Sequence, residues 1–328
     1  MASPKRRTSA MIASIDSGGL PTIKAPFGHT LCEVARTRPE IVGMTADLSK
    51  YTDLYVFAEQ YPDRFYQMGM AEQLLMGAAA GMAREGFTVF ATTYAVFASR
   101  RAYDFICMAI AEESLNVKIV CALPGLTTGY GPSHQATEDL AIFRGMPNLT
   151  VIDPCDATDI AQATQALADH VGPVYMRLLR GQVPDILSRY DYYFKMGQAA
   201  LLVDGRDVLF ISTGLMTMRA LQAQEALAKD GIDAAVLHAP TLKPLDVDTI
   251  CVQAGRHGRL VVVAENHTEV GGLGEAVAAA LLRSGIHPAW LHIALPDQFL
   301  AAGALPTLHD RYGLSTAQVC RAVKKALG

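Results

Sequence analysis

The chain has 328 residues, 51% of them apolar and 18% charged, with a net charge of −4 and a pI near 6.1. That length corresponds to about two domains with cores of their own, and the mild acidity argues against a nucleic-acid partner, which would call for a basic face. Six cysteines (Cys32, Cys107, Cys121, Cys155, Cys251 and Cys320) stand without a CxxC pair and read as small buried hydrophobes in a reducing cytosol.

The N-terminus carries Lys5, Arg6 and Arg7, a weak apolar stretch at 10–13, and then Asp16, Ser17, Gly18 and Gly19. This is too short for a signal peptide, so 1–21 is expected to be a mobile tail. A first domain is expected over 22–190. Short apolar or β-branched runs at Ile41–Thr45, 65–68, 88–92, Val117–Ala122, Thr150–Ile152 and 174–177 alternate there with helical stretches at 71–85, 97–112 and 156–169. This alternation predicts a parallel, doubly wound sheet. The run Val117–Ala122 is mostly apolar, as a strand buried on both faces should be.

Gly181, Pro184, Asp185, Ser188 and the tyrosines of 190–193 form a polar, aromatic connector, which sets the boundary near 190–196. A second alternating set fills 196–328. Its strands are expected at Val208–Ser212, Ala234–His238, 260–265 and 291–295. Its helices are expected up to about 229, over 246–256 and over 272–284. The fold class is therefore α/β, with two doubly wound α/β/α domains. No apolar stretch of membrane length lacks charges or breakers, so a soluble cytoplasmic protein is expected, with no membrane partner.

Between Met70 and Ala83 the only charged side chain is Glu72, among Met70, Ala71, Leu74, Leu75, Met76 and Ala78–Ala80. A helix apolar nearly all round is buried, and a carboxylate there is costly unless it is paired, protonated or functional. The helix pattern leaves a second reading open: a first-turn acid stabilised by the helix dipole. The wider stretch Tyr61-Pro62-Asp63-Arg64-Phe65-Tyr66-Gln67-Met68-Gly69-Met70-Ala71-Glu72-Gln73 resembles the pyrimidine-binding domain of transketolases and deoxyxylulose-phosphate synthases. The resemblance implies that Glu72 bonds N1′ of the aminopyrimidine of thiamine diphosphate. From there it would open the proton relay that removes the thiazolium C2 proton.

Two further blocks extend the resemblance. In Tyr94-Ala95-Val96-Phe97-Ala98-Ser99-Arg100-Arg101-Ala102-Tyr103-Asp104, Phe97 matches the aromatic that stacks on the pyrimidine, with Tyr94 beside it. The pair Arg100-Arg101 is one residue more than the synthase pattern carries. Gly129-Tyr130-Gly131-Pro132-Ser133-His134-Gln135 follows the strand Val117–Ala122, where parallel sheets place ligands. It is similar to the transketolase segment whose histidine contacts substrate oxygens, which makes His134 a catalytic and substrate-binding candidate. Arg180 aligns with the family's phosphate-binding arginine, a role that suits its fork of donors.

Two departures implicate the substrate. Tyr130 stands where transketolases carry an aspartate that reads a donor hydroxyl, and Ala122 stands where they carry a histidine near the phosphate. A non-standard ketose is the implied substrate, since split forms of the family handle ordinary, branched (apulose-type) and sulfonated sugars. Gly271-Gly272-Leu273-Gly274 lacks the third glycine of a dinucleotide fingerprint, with Val277 in its place. This segment resembles the C-terminal transketolase domain instead, and His267 is expected to be structural.

Complete transketolases grip the diphosphate through Mg²⁺ with a Gly-Asp-Gly motif, which this sequence does not contain. The resemblance spans about 24–325 and implies the C-terminal half of a split transketolase. Its activity would be transfer of a two-carbon ketol unit from a ketose phosphate to an aldose. A partner chain with the diphosphate-binding domain would hold the Mg²⁺ and the diphosphate of the shared cofactor, in an α2β2 assembly. Two alternatives stand beside this: the β subunit of a 2-oxo acid dehydrogenase, and a non-catalytic interaction or regulatory subunit.

Overall fold

The computed structural model describes Ile15, residues 17–256 and residues 258–328. The expected tail therefore lies largely outside the described residues. Within its described part, Ile15 is buried against the first core.

The first half builds a seven-stranded sheet in the order Thr241–Lys243, Thr150–Ile152, Val174–Leu178, Val117–Ala122, Thr88–Tyr94, Ile41–Thr45 and Phe65–Gln67. All its neighbours run parallel except the first pair, which is antiparallel. The central strands are buried throughout, which explains why they read as continuous apolar runs rather than alternating ones. The second half holds five strands in the order Ala289–Leu295, Leu260–Thr268, Val208–Ser212, Ala234–His238 and Ala200–Val203, with only the last antiparallel to its neighbour. Thr22–Lys24 and Gln182–Pro184 pair as a small antiparallel ribbon.

Three findings depart from the sequence reading. Thr241–Lys243 belongs by sequence to the second half but pairs with Thr150–Ile152 at the edge of the first sheet. The helix expected over 97–112 breaks into Ala95–Arg101, a short turn Tyr103–Phe105 and a π-helix Ile106–Ala111. The helix carrying Glu72, Glu72–Arg84, is not buried all round. Leu75, Met76, Ala79 and Ala80 face the core, whereas Leu74 is 56% exposed and Met70, just before the helix, is 81% exposed. An apolar composition alone cannot distinguish a helix covered by its own chain from one with an uncovered apolar face.

Buried polar groups fasten the two halves together. Arg177, 1% exposed, donates from Nε to Asp139 Oδ2 at 2.9 Å and also reaches Asp153 and the Asn266 carbonyl. Asp159 receives Tyr192 Oη at 2.7 Å and meets His238 Nε2 at 3.0 Å. Burial pushes the Asp139 carboxyl up, but Arg177 outweighs it and holds the group below its ordinary value.

Candidate functional site

Four chain segments that leave carboxyl ends of the parallel strands converge on one surface, where such sheets receive ligands. After Phe65–Gln67 the chain turns at Gly69 (φ 73°) and enters Glu72–Arg84, with no side chain capping the helix start. Glu72 thus stands in the first helical turn and is 5% exposed. After Thr88–Tyr94 the chain passes directly into Ala95–Arg101, which brings Phe97 and Arg101 over the same spot. Arg101 Nη1 donates to Glu72 Oε1 at 3.2 Å, and its guanidinium carbon lies 4.0 Å from the centre of the Phe97 ring.

His134 arrives on the loop that follows Val117–Ala122. Its ring centre lies 5.5 Å from Phe97, 6.2 Å from Tyr94 and 5.5 Å from Tyr130, each an edge-on contact. Tyr94 and Phe97 are 5.6 Å apart. Burial, followed by the charge of Arg101, holds the His134 imidazole below its ordinary pKa. Its ring is therefore neutral near pH 7, and Nδ1 lies 2.9 Å from Ser133 Oγ. Arg180, two residues past Val174–Leu178, lies 5.4 Å from the Tyr51 ring, and among the described residues its buried Nε has no hydrogen-bond partner. It also borders Tyr94. Burial raises the Tyr94 phenol and Arg180 pulls it back.

The structure therefore brings Glu72, Phe97, Tyr94, Tyr130 and His134 into one cluster, with Arg180 adjoining it through Tyr94. Sequence reasoning left Arg100 and Arg101 without roles, although it singled them out as an extra residue. Arg100 pairs with Glu138 and donates to the carbonyls of Pro132 at 2.8 Å and Gln135 at 3.3 Å, clamping the His134 loop from one side. The second domain holds the other side. Gln135 Nε2 donates to Ala301 O at 3.2 Å, Gly303 N donates to Gly129 O at 3.0 Å, and Asn266 Oδ1 accepts Leu126 N at 2.9 Å. The contact at Asn266 needs glycine at 125, because a Cβ there would lie 2.1 Å from the Asn266 carbonyl. Asp53, 2% exposed beneath Arg180, was also missed. It accepts Gly181 N at 2.9 Å, and burial raises its carboxyl above the usual range.

Two neighbouring features are structural. His267 is buried, accepts Ala141 N at Nε2 (3.2 Å), and has Nδ1 2.8 Å from Thr268 O. The Gly271–Gly274 turn wraps the carboxylate of Glu265, whose oxygens accept Leu273 N at 2.7 Å and Gly274 N at 2.8 Å. A cleft of about 390 Å³, lined by Ala254, Arg256, Arg259, Ile286 and His287 among others, contains none of the cluster residues. Among the described residues, no three His, Cys, Asp or Glu side chains converge as a metal site.

Comparison with known proteins gives two family matches, the transketolase pyrimidine-binding domain over residues 21–185 and the transketolase C-terminal domain over residues 197–319. The chain is 67% identical over 325 residues to the transketolase family protein y4mN of Sinorhizobium fredii, covering 99% of this chain and 94% of that one. It is 38% identical to the 6-deoxy-6-sulfo-D-fructose transketolase subunit SqwH of Clostridium sp. (strain MSTE9), covering 92% of each. A solved split-gene transketolase, an inactive β4 tetramer, superposes with a TM-score of 0.85 at 40% identity, covering 94% of this chain and 98% of that one.

Proposed function

The chain belongs to the transketolase family as the subunit of a split transketolase that carries the pyrimidine-binding and C-terminal domains, and from that premise we propose how its site works. Phe97 and Glu72 would hold the pyrimidine end of thiamine diphosphate. A partner chain holds the diphosphate and Mg²⁺, and the assembly contains two copies of each chain. The observation that carries this reading is the meeting of Glu72, Phe97 and Arg101. A planar group bearing N–H donors already lies over the Phe97 ring and donates to the Glu72 carboxylate, so the pair fits an aminopyrimidine that shares a proton between N1′ and the carboxylate.

Thiamine diphosphate, when bound, supplies the carbanion chemistry of ketol transfer. The protein supplies position and one proton relay. Glu72, desolvated at a helix start, holds a proton at N1′ of the ring. Phe97 gives the ring a flat apolar seat. His134, neutral and seated among Tyr94, Phe97 and Tyr130, donates to or accepts from a substrate hydroxyl. Arg180, whose buried Nε has no partner among the described residues, receives the anionic end of the sugar.

The substrate is a ketose phosphate or a similarly anionic ketose that gives its two-carbon unit to an aldose. Tyr130 and Ala122, in place of an aspartate and a histidine, favour an unusual sugar, and the relative SqwH is a subunit for a sulfonated fructose. The need for a partner is supported by the uncovered apolar side chains near Glu72 (Met70, Leu74, Phe105 and Met108). It is also supported by the inactivity of the related β4 tetramer. The purified chain with thiamine diphosphate and Mg²⁺ should show no ketol transfer, and adding a chain that carries Gly-Asp-Gly should restore it. Steady-state turnover by the single chain would overturn the proposal.

A further inference from the structure

Arg101 makes both contacts that the reading above assigns to the cofactor's ring. Its guanidinium is flat, lies 4.0 Å over the Phe97 ring centre, and donates an N–H to Glu72 Oε1 at 3.2 Å. We propose that Arg101 is a built-in stand-in for the aminopyrimidine, which closes the cofactor's seat in the cofactor-free protein and leaves when the ring enters. This inference rests on the assignment of Glu72 and Phe97 to the pyrimidine.

Accessibility agrees with such a role. Glu72 is nearly sealed at 5% side-chain exposure, while Arg101 is 54% exposed. The guanidinium thus covers the carboxylate from the solvent side and can swing outward without disturbing the core. Among the described residues, Glu72 has no other side-chain hydrogen-bond partner. Left bare it would be a desolvated, unpaired carboxylate, an expensive state that the arginine relieves. Both contacts are of the weak, half-solvated kind, as a group that must be displaced requires. A guanidinium also suits the part better than an ammonium, because it alone combines a flat face with in-plane donors.

The backbone downstream of Arg101 leaves regular α-helix geometry. Helix Ala95–Arg101 ends at Ala102 (φ −105°, ψ 7°), and the chain then forms the π-helix Ile106–Ala111. There Glu112 N bonds to Cys107 O and Leu115 N to Ile110 O, each spanning five residues instead of four. A π-turn absorbs one extra residue and is an uncommon feature that often sits near functional sites. Ile106 and Ile110 face the core, while Arg101 faces Glu72.

The test is calorimetric titration of the cofactor-free complex of this chain with its partner, using thiamine diphosphate and Mg²⁺. Wild type, Arg101→Met, Arg101→Lys, Glu72→Gln and Phe97→Ala are compared, with melting as a folding control. A cap that is mostly closed lowers apparent affinity by its open fraction. Arg101→Met should therefore bind about tenfold tighter than wild type, a difference of about 1.4 kcal/mol. Arg101→Lys, which keeps the charge but not the flat face, should fall between the two. If Arg101→Met does not fold, Arg101→Lys binding tighter than wild type upholds the cap. Equal or weaker binding by the folded Arg101 variants, with Glu72→Gln weakened, overturns the cap but leaves the cofactor assignment standing. Unchanged binding in both Glu72→Gln and Phe97→Ala overturns the assignment itself, and the cap with it. Undetectable binding by the folded Arg101 variants also overturns the cap.

Discussion

The helices Glu72–Arg84 and Leu273–Arg283 each begin beside a buried carboxylate, and they treat it differently. Glu265 is fully buried, and its two oxygens are occupied by the Leu273 and Gly274 amides and by His292 Nε2 at 2.9 Å. Glycine at 272 makes this possible, since a Cβ there would lie 1.9 Å from Glu265 Oε2. Glu72 is almost as buried but, among the described residues, meets a single, half-exposed arginine. A saturated carboxylate is part of the frame. An unsaturated one, met by a half-exposed arginine and set beside an aromatic ring, keeps acceptor capacity that a ligand can use.

The contrast can be broken most forcefully at Glu265. Glu265→Gln would aim an amide NH₂ at one of three donors already in place, so it should destabilise the chain by about 3 kcal/mol in chemical denaturation. A loss within about 0.5 kcal/mol would show that the carboxylate is not structural. A smaller effect is expected at Arg180. Arg180→Leu in the assembled enzyme should raise KM for an anionic ketose about tenfold, the worth of one charged hydrogen bond, with cofactor affinity nearly unchanged. An unchanged KM would return Arg180 to the frame.

The smallest effect is in acid. Burial pushes Glu265 up, but the His292 hydrogen bond, His267 and the two amides outweigh it and hold its carboxyl below the ordinary value of 4.5. A folded-state pKa below the unfolded one adds stability that is fully present above pH about 4.5 and fades as pH falls through the folded value. Stability measured from pH 6 down to 3 should therefore drop less steeply in Glu265→Gln than in wild type. Parallel curves would contradict the assigned linkage.

Much of this was legible in the chain, for identifiable reasons. Strands such as Val117–Ala122 and Val208–Ser212 are covered on both faces, so each reads as an uninterrupted apolar run. Glu72 was conspicuous because a lone charge in apolar sequence has few inexpensive explanations. Thr241–Lys243 was not legible. Three residues show no periodicity, and their pairing with Thr150–Ile152 is decided by how the halves pack. The partnership of Arg101 with Glu72 was equally hidden. The two stand 29 positions apart, and their meeting depends on how the helices Glu72–Arg84 and Ala95–Arg101 pack side by side after leaving their strands, which no composition rule predicts. Nor could composition reveal that Met70 and Leu74 face outward, because apolar residues read alike whether their own chain or another one covers them.

The central claim is that Glu72 serves the proton relay and not the fold, and one measurement tests it most directly. Hydrogen–deuterium exchange at C2 of thiamine diphosphate is followed in the assembled complex, with wild-type chain and with Glu72→Gln, alongside thermal melting of the isolated chain. Gln keeps the shape and one accepting oxygen but cannot hold the shared proton. Exchange should therefore slow by at least about 100-fold, while stability changes by less than about 1 kcal/mol, since only one half-exposed pair is lost. Exchange at the wild-type rate in a well-folded Glu72→Gln complex would contradict the account and make Glu72 an ordinary helix-start carboxylate.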